Sequence, residues 1–323
     1  MTTARLVPVT IEMDGDELDA TAAWQLASKH GLTRIAVDSF VRFRYGDGFT
    51  NSRALALQAC LALVPFLLAL TGLAADIDNE KPAQVVAATV QALTPGAGES
   101  DALADAVGSD EAERAGEVAL VLGLGFALLS MTTAMAQVER GTNRIYGIRR
   151  DRRAVAKYGR AALLTGVLAL PVATGFLMLV GGGAFADAMA RHYDWSSGTV
   201  QLWNVARWPI GIVLLVFTIA VLLDHAPRRR QPALSWLALG SAIAVALSAV
   251  ATIALAGWVS LSGSFGSVYG PLAGVFALLL WSLLSAIAFF YGAAVCAQLE
   301  ALRAGASDPV LPDPGRPHAR TVE

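Results

Sequence analysis

Between positions 232 and 299 the chain carries 68 consecutive residues without one Asp, Glu, Lys, Arg or His. A soluble domain gives about a quarter of its residues to charge, so a gap of this length argues for a solvent other than water. Crossing ~30 Å of hydrocarbon at 1.5 Å of rise takes about 20 helical residues. The run is too long for one crossing and divides at LSGSFGSVYGP, residues 261–271. That break is rich in Gly and Ser, and Pro271 is suited to a first helical turn. Two spans result, 233–261 and 271–297.

The same reasoning finds four more. Val118 to Val138 is a second uncharged run, 21 residues long, and it ends abruptly at Glu139-Arg140. Residues 55–75 form the first span, with Gln58 as its one strongly polar residue and Pro65 near the middle. Proline removes a backbone donor and kinks a helix, which neighbouring helices tolerate in a membrane. The span at 161–185 is interrupted by Pro171 and closed by Gly181, Gly182 and Gly183. The shortest, 208–223, reaches an ordinary length only if Leu202–Val205 extends it past Arg207. The fold class is therefore all-α: a polytopic six-transmembrane-helix bundle. With 55% hydrophobic and 15% charged residues overall, the composition agrees.

Charge orients the bundle. Of 24 Lys and Arg, 20 fall in the N-terminal segment, the loops at 139–160 and 228–230, and the C-terminal tail. Lys81, Arg114, Arg191 and Arg207 fall on the other side. The positive-inside rule then places both termini in the cytoplasm. Residues 1–20 read as a disordered acidic tail and 300–323 as a disordered Pro-rich cytoplasmic tail. Residues 21–53 mix Trp24, Ile35, Phe40 and Phe43 with Lys29, Arg34, Arg42 and Arg44. That mixture suits an amphipathic helix in the membrane interface, or equally one folding back on the bundle. Residues 76–117 carry ten acidic groups against two basic ones and read as a small helical extracytoplasmic loop. Cys60 and Cys296 both sit in apolar runs, as helix-packing residues rather than a disulfide framework.

Candidate functional residues gather where the second span meets its basic loop. Thr133, Gln137, Arg140 and Arg144 follow a 4, 3, 4 spacing on one helix face, and Glu139 and Asn143 share the adjacent face. Arg53 and Gln58 lie at similar depth on the first span. These eight could line a polar, cytoplasm-facing cleft for an anionic lipid headgroup. The plainer alternative pairs Glu139 with a nearby arginine and leaves the rest as phospholipid anchors. Gly266, Gly270 and Gly274 form a GxxxGxxxG run, and Ser241, Ala244, Ser248 and Ala251 a small-residue face; both suit close helix packing.

The four histidines are isolated, so no metal-ligand spacing appears, and there is no Walker A sequence. The basic loop lacks the interleaved aromatics that stack nucleic-acid bases. No cofactor, metal or nucleic acid is expected, and no catalytic residue is assigned.

Three stretches resemble the YihY/BrkB family of bacterial inner-membrane proteins: ALALQACLALVPFLLAL (54–70), AMAQVERGTNRIYGIRRDRR (134–153) and SGSFGSVYGPLAGVFALLLWSLLSAIAFFYGAAVCAQLE (262–300). The resemblance covers roughly 35–303 and implies six helices with cytoplasmic termini. It also implies a possible link to envelope lipid export. The chain departs from the pattern at Leu57 and Gln58, where many members carry a Tyr pair. It departs again at Gly292–Cys296, where a Gly-Ala-Glu-x-Asn motif is usual, so two polar groups are missing from the last span. Members have carried a ribonuclease label, which nothing in these residues supports. The readings are, in order, a non-enzymatic protein that binds or translocates a lipid or other amphiphile; a structural or assembly protein of the envelope, alone, as a homo-oligomer or with a protein partner; and, remotely, a membrane-tethered ribonuclease.

Overall fold

A computed structural model describes residues 6–12, 19–75, 85, 110–261 and 272–312. Every regular element among them is helical. Two short helices open the chain, α1 (Ala20–His30) and α2 (Leu32–Tyr45). Asp19 caps α1 by accepting the Ala22 amide at 2.7 Å, and Gly31, at φ +85°, separates the two.

Long helices follow: α3 (Gly48–Ala75), α4 (Asp110–Ile145) and α5 (Ala154–Phe176). A π-helical turn, Leu177–Gly181, joins α5 to the shorter α6 (Gly182–Tyr193). The chain returns through α7 (Ser197–His225), α8 (Leu234–Leu261) and α9 (Leu272–Arg303). Among the described residues five stretches are long and apolar enough to cross a membrane: Leu120–Ile145, Ala154–Leu179, Ser197–His225, Leu234–Val259 and Gly274–Arg303. The chain is a multi-span, all-helical membrane protein.

Several expected boundaries move because helices outrun the hydrocarbon. α4 continues seven residues beyond Val138, so the basic connection shrinks to 146–153. α7 starts at Ser197 and carries Arg207 inside it, which gives the shortest expected span 29 residues. α9 runs to Arg303, taking residues 300–303 out of the expected tail. The acidic loop at 76–117 falls largely outside the described residues, as does the Gly/Ser break at 262–271.

Each long helix packs on its neighbours in chain order (α3 on α4, α4 on α5, α5 on α7, α7 on α8, α8 on α9), and α9 returns to α3 to close a ring. α4 also touches α9. The tightest crossing is between α8 and α9. A Cβ built on Gly240 would lie 2.5 Å from the Gly292 carbonyl oxygen, and one built on Gly292 would lie 2.4 Å from the Gly240 oxygen. Ser241 and Ala244 are fully buried beside it. Lipid is as apolar as leucine, so contact of this kind, rather than hydrophobic burial, holds membrane helices together.

Burial is concentrated at the end of the ring where residues 6–12 and 304–312 lie, here called the basic end. α9 is buried almost continuously from Phe289 to Leu302, whereas α8 buries no described side chain beyond Ala244. α7 buries none before Gly211. At the basic end α1 lays Ala23 and Ala27 against the bundle, and α2 lays Ile35, Ser39, Arg42 and Phe43. Those spacings of three, four and seven are one helical face. Trp24, Val37 and Phe40 stay exposed.

Candidate functional site

The basic end is built around ionic groups that the bundle has swallowed. Arg229 and Glu300 form an ion pair at 2.7 Å, with side chains 2% and 0% exposed. The Arg229 guanidinium lies 4.8 Å above the Tyr146 ring, a desolvated cation–π contact. Arg42, on α2, is equally buried and spends its planar fork on three separate elements. It donates to the Ile145 carbonyl at 3.1 Å, to Gln298 Oε1 at 3.1 Å and to the Pro8 carbonyl at 3.0 Å. Burial pulls the Arg42 pKa down to about 10, which still leaves it charged at neutral pH. Burial and the nearby Glu300 carboxylate hold the Tyr146 hydroxyl well above its ordinary value, so it stays neutral.

A strap crosses this core. Residues 6–12, inside the stretch expected to be an acidic tail, are fixed at five points. The Thr10 amide donates to the Tyr146 carbonyl at 3.3 Å, and the Leu311 amide to the Leu6 carbonyl at 2.7 Å. Arg229 donates to Thr10 Oγ1 and to the Ile11 carbonyl, and the Arg230 amide to Glu12 Oε1. Arg42 supplies a sixth bond, to Pro8, so that five strap residues (Leu6, Pro8, Thr10, Ile11 and Glu12) are held. Gly147 makes the fit possible. Its φ is +78°, and a Cβ there would come within 2.6 Å of the Pro8 oxygen. It also terminates α4, with Gly147 N–H to Arg144 O and Ile148 N–H to Asn143 O, the 5→2 and 6→1 bonds of a Schellman end.

Beside the core a clasp ties the 146–153 loop to the 226–230 loop. Glu139, 3% exposed, pairs with Arg152 at 3.0 Å. Arg152 donates onward to the carbonyls of Ala226 and Pro227, both at 2.9 Å. Asn143 works in both directions: Nδ2 donates to Asp151 Oδ1 at 3.1 Å, while Oδ1 accepts the Arg228 amide at 2.7 Å. Burial raises the Asp151 pKa, but the bonds from Asn143 and Lys157 outweigh it, and the net value lies below the ordinary one.

The eight polar candidates therefore separate. Glu139 and Asn143 face inward as the two anchors of the clasp. Gln137 donates to Asn51 Oδ1 at 2.8 Å, bridging α4 to α3, and Thr133 bonds back to the Ser130 carbonyl. Arg144 is half-buried and donates to the Arg149 carbonyl at 3.0 Å. Gln58 is half-buried; Arg53 and Arg140 are exposed. Of the three glycines expected at a packing surface, Gly266 and Gly270 lie outside the described residues. Gly274 is half-buried in the first turns of α9.

Arg42, Tyr146, Arg229, Gln298 and Glu300 are absent from the sequence-derived candidates. One signal does point to the carboxylate. Glu300 is the first charge after the 68-residue neutral run, and it is an acid at an end otherwise crowded with bases.

Among the described residues no group of three or more His, Cys, Asp or Glu side chains is placed to hold a metal ion. What fold and site define is a multi-pass helical membrane protein whose basic end is held together by buried ion pairs. The chain matches the family described as Virulence factor BrkB over residues 39–316, and it belongs to that family. It is also similar to the ribonuclease-like protein YfkH of Bacillus subtilis (strain 168), with 22% identity over 260 residues, 80% of this chain and 93% of the relative. No solved structure matches it.

Proposed function

We propose that the protein is a non-enzymatic six-span membrane protein that binds or translocates an amphiphile, above all a lipid, through the ring of long helices. Its cytoplasmic end is closed in the state described here. The observation that carries this reading is the asymmetry of packing. One end is locked by the Arg229–Glu300 pair, the strap and the clasp, while toward the other no described residue of α7 before Gly211 or of α8 beyond Ala244 is fully buried. Interiors built only for stability are packed throughout. A bundle packed at one end has a half that is free to admit a ligand from the bilayer.

The count of six rests on α3. The Leu311 amide donates to the Leu6 carbonyl at 2.7 Å, which supports both ends of the described chain lying on one side and an even number of crossings. α3, at 28 residues, supplies the sixth. The positive-inside rule puts that side in the cytoplasm. Arg53, Gln58, Thr133, Gln137, Arg140 and Arg144 remain the groups on α3 and α4 for a headgroup to meet. The ribonuclease-like wording attached to the Bacillus relative gains nothing here, since the buried acids Glu139 and Glu300 are already committed to Arg152 and Arg229.

Lipid analysis of the detergent-purified protein, wild type beside Arg140→Ala/Arg144→Ala, tests the reading. Enrichment of one lipid class over bulk membrane, diminished in the double variant, is the expected result. Bulk-like lipid in both would sink it and turn attention to the envelope-assembly alternative.

A further inference from the structure

A second polar feature lies at the opposite end of the ring and takes no part in the strap or the clasp. Arg207 sits 18 residues from His225 along α7, about 27 Å at 1.5 Å per residue, which is the far edge of the hydrocarbon. Its neighbours are an interfacial set. Phe185, Trp195 and Trp203 pack edge-on or tilted with centroids 5.2–6.1 Å apart, and the Arg207 guanidinium lies 5.1 Å from the Trp208 ring. Aromatic girdles of this kind mark headgroup level.

The side chain is half-buried. It lies along α6, against Gly182, where a Cβ would come within 2.8 Å of Arg207 Cδ. Nη1 makes a long bond, 3.4 Å, to the carbonyl of Met178 in the π-helical turn. Nε is buried and has no hydrogen-bond partner. One turn earlier on the same face, Asn204 Oδ1 is buried and unpartnered as well. Among the described residues no carboxylate forms an ion pair with this arginine, although Arg152 and Arg229 each have one. A cation at membrane depth is costly unless an anion or several carbonyls meet it, and a single long carbonyl bond leaves most of the guanidinium's donors free. A planar fork with free parallel donors fits a phosphate, which it binds through two oxygens at once.

We propose that Arg207, backed by the 177–181 turn and flanked by Trp203 and Trp208, binds the phosphodiester of a phospholipid in the outer leaflet. Gly182 is what lets the arginine lie in that position. Trp203 fixes the wall by donating to the Gly182 carbonyl at 2.7 Å. The site stands apart from the reading of the ring as a lipid route: a phospholipid held here can be a fixed structural ligand or one captured on its way.

Native mass spectrometry of the full-length protein in mild detergent tests this, with phosphatidylglycerol added and inorganic phosphate as competitor. The wild type is expected to retain phosphatidylglycerol adducts. Arg207→Gln is expected to lose them by tenfold or more, and Arg207→Lys, which keeps charge without the fork, by less. Gly182→Ala keeps the charge and pushes the arginine aside, so it too is expected to lower retention, and it serves if Arg207→Gln folds poorly. Unchanged adducts in both Arg207→Gln and Gly182→Ala would overturn the proposal. Displacement of the lipid by millimolar phosphate would also overturn it, in favour of a site for a free anion. The readout is retention and involves no movement across the bilayer, so it fails or succeeds independently of the translocation reading.

Discussion

At the scale of single residues, the Arg229–Glu300 pair has the highest stake. Desolvating two charges costs several kcal/mol per ion, and removing one partner leaves the other uncompensated, a loss of about 3–5 kcal/mol. Glu300→Gln and Arg229→Met should each lower the melting temperature of the detergent-solubilised protein sharply. The double variant Arg229→Met/Glu300→Leu should recover much of that loss, because it removes the unpaired charge along with the pair. Losses that simply add would mean the two side chains do not act together. Asp151 gives a pH expectation. Its folded pKa is depressed, so its contribution is complete above the unfolded value of about 3.9 and fades as pH falls through the lower folded value. Spin labels at Arg150 and Arg230 should keep their separation from pH 5 to pH 8 and drift apart only below about pH 4. Separation already at pH 6 would place the clasp's control elsewhere.

Among the helices, the crossing of α8 and α9 is the contact most sensitive to one added carbon. Gly292→Leu and Gly240→Leu would drive a side chain into the facing backbone, and overpacking of this kind costs about 1–3 kcal/mol or more. Folded yield in detergent should fall for both and stay level for Gly125→Ala, where a Cβ meets nothing within 4 Å. Equal yields would mean that the helices can separate at no cost. This contact also marks how far the sequence could be read. The long helices were legible because uncharged runs of 20 or so residues have one solution in a bilayer. Ser241 and Ala244 were legible as a small-residue face. Gly292 was not singled out for packing, because a glycine inside an apolar helix gives no sign of which neighbour needs its missing side chain. Helix ends were read too short for a related reason: charge marks where hydrocarbon stops, and α4, α7 and α9 run on past charged residues, α4 and α9 into the packed basic end. The candidate site was half legible. Glu139 and Asn143 stood out by type and spacing, but their partners Arg152, Asp151 and Arg228 come from loops that only the folded chain brings together. Arg42 and Arg229 looked like ordinary inside-positive charges and are buried instead.

For the molecule as a whole, a densely buried basic end gives way to stretches of α7 and α8 in which no described residue is fully buried. The strap makes the packing of the basic end depend on residues 6–12, which bond Arg42, Arg229 and Arg230. The most direct test is movement of a headgroup-labelled lipid between leaflets of vesicles containing the purified protein, followed by quenching of label in the outer leaflet. The wild type should exceed empty vesicles for at least one lipid class, and a variant lacking residues 1–12 should be faster still. If both match empty vesicles across a broad panel of lipids, the ring is not a route for lipid and the closed end is only the bundle's foundation.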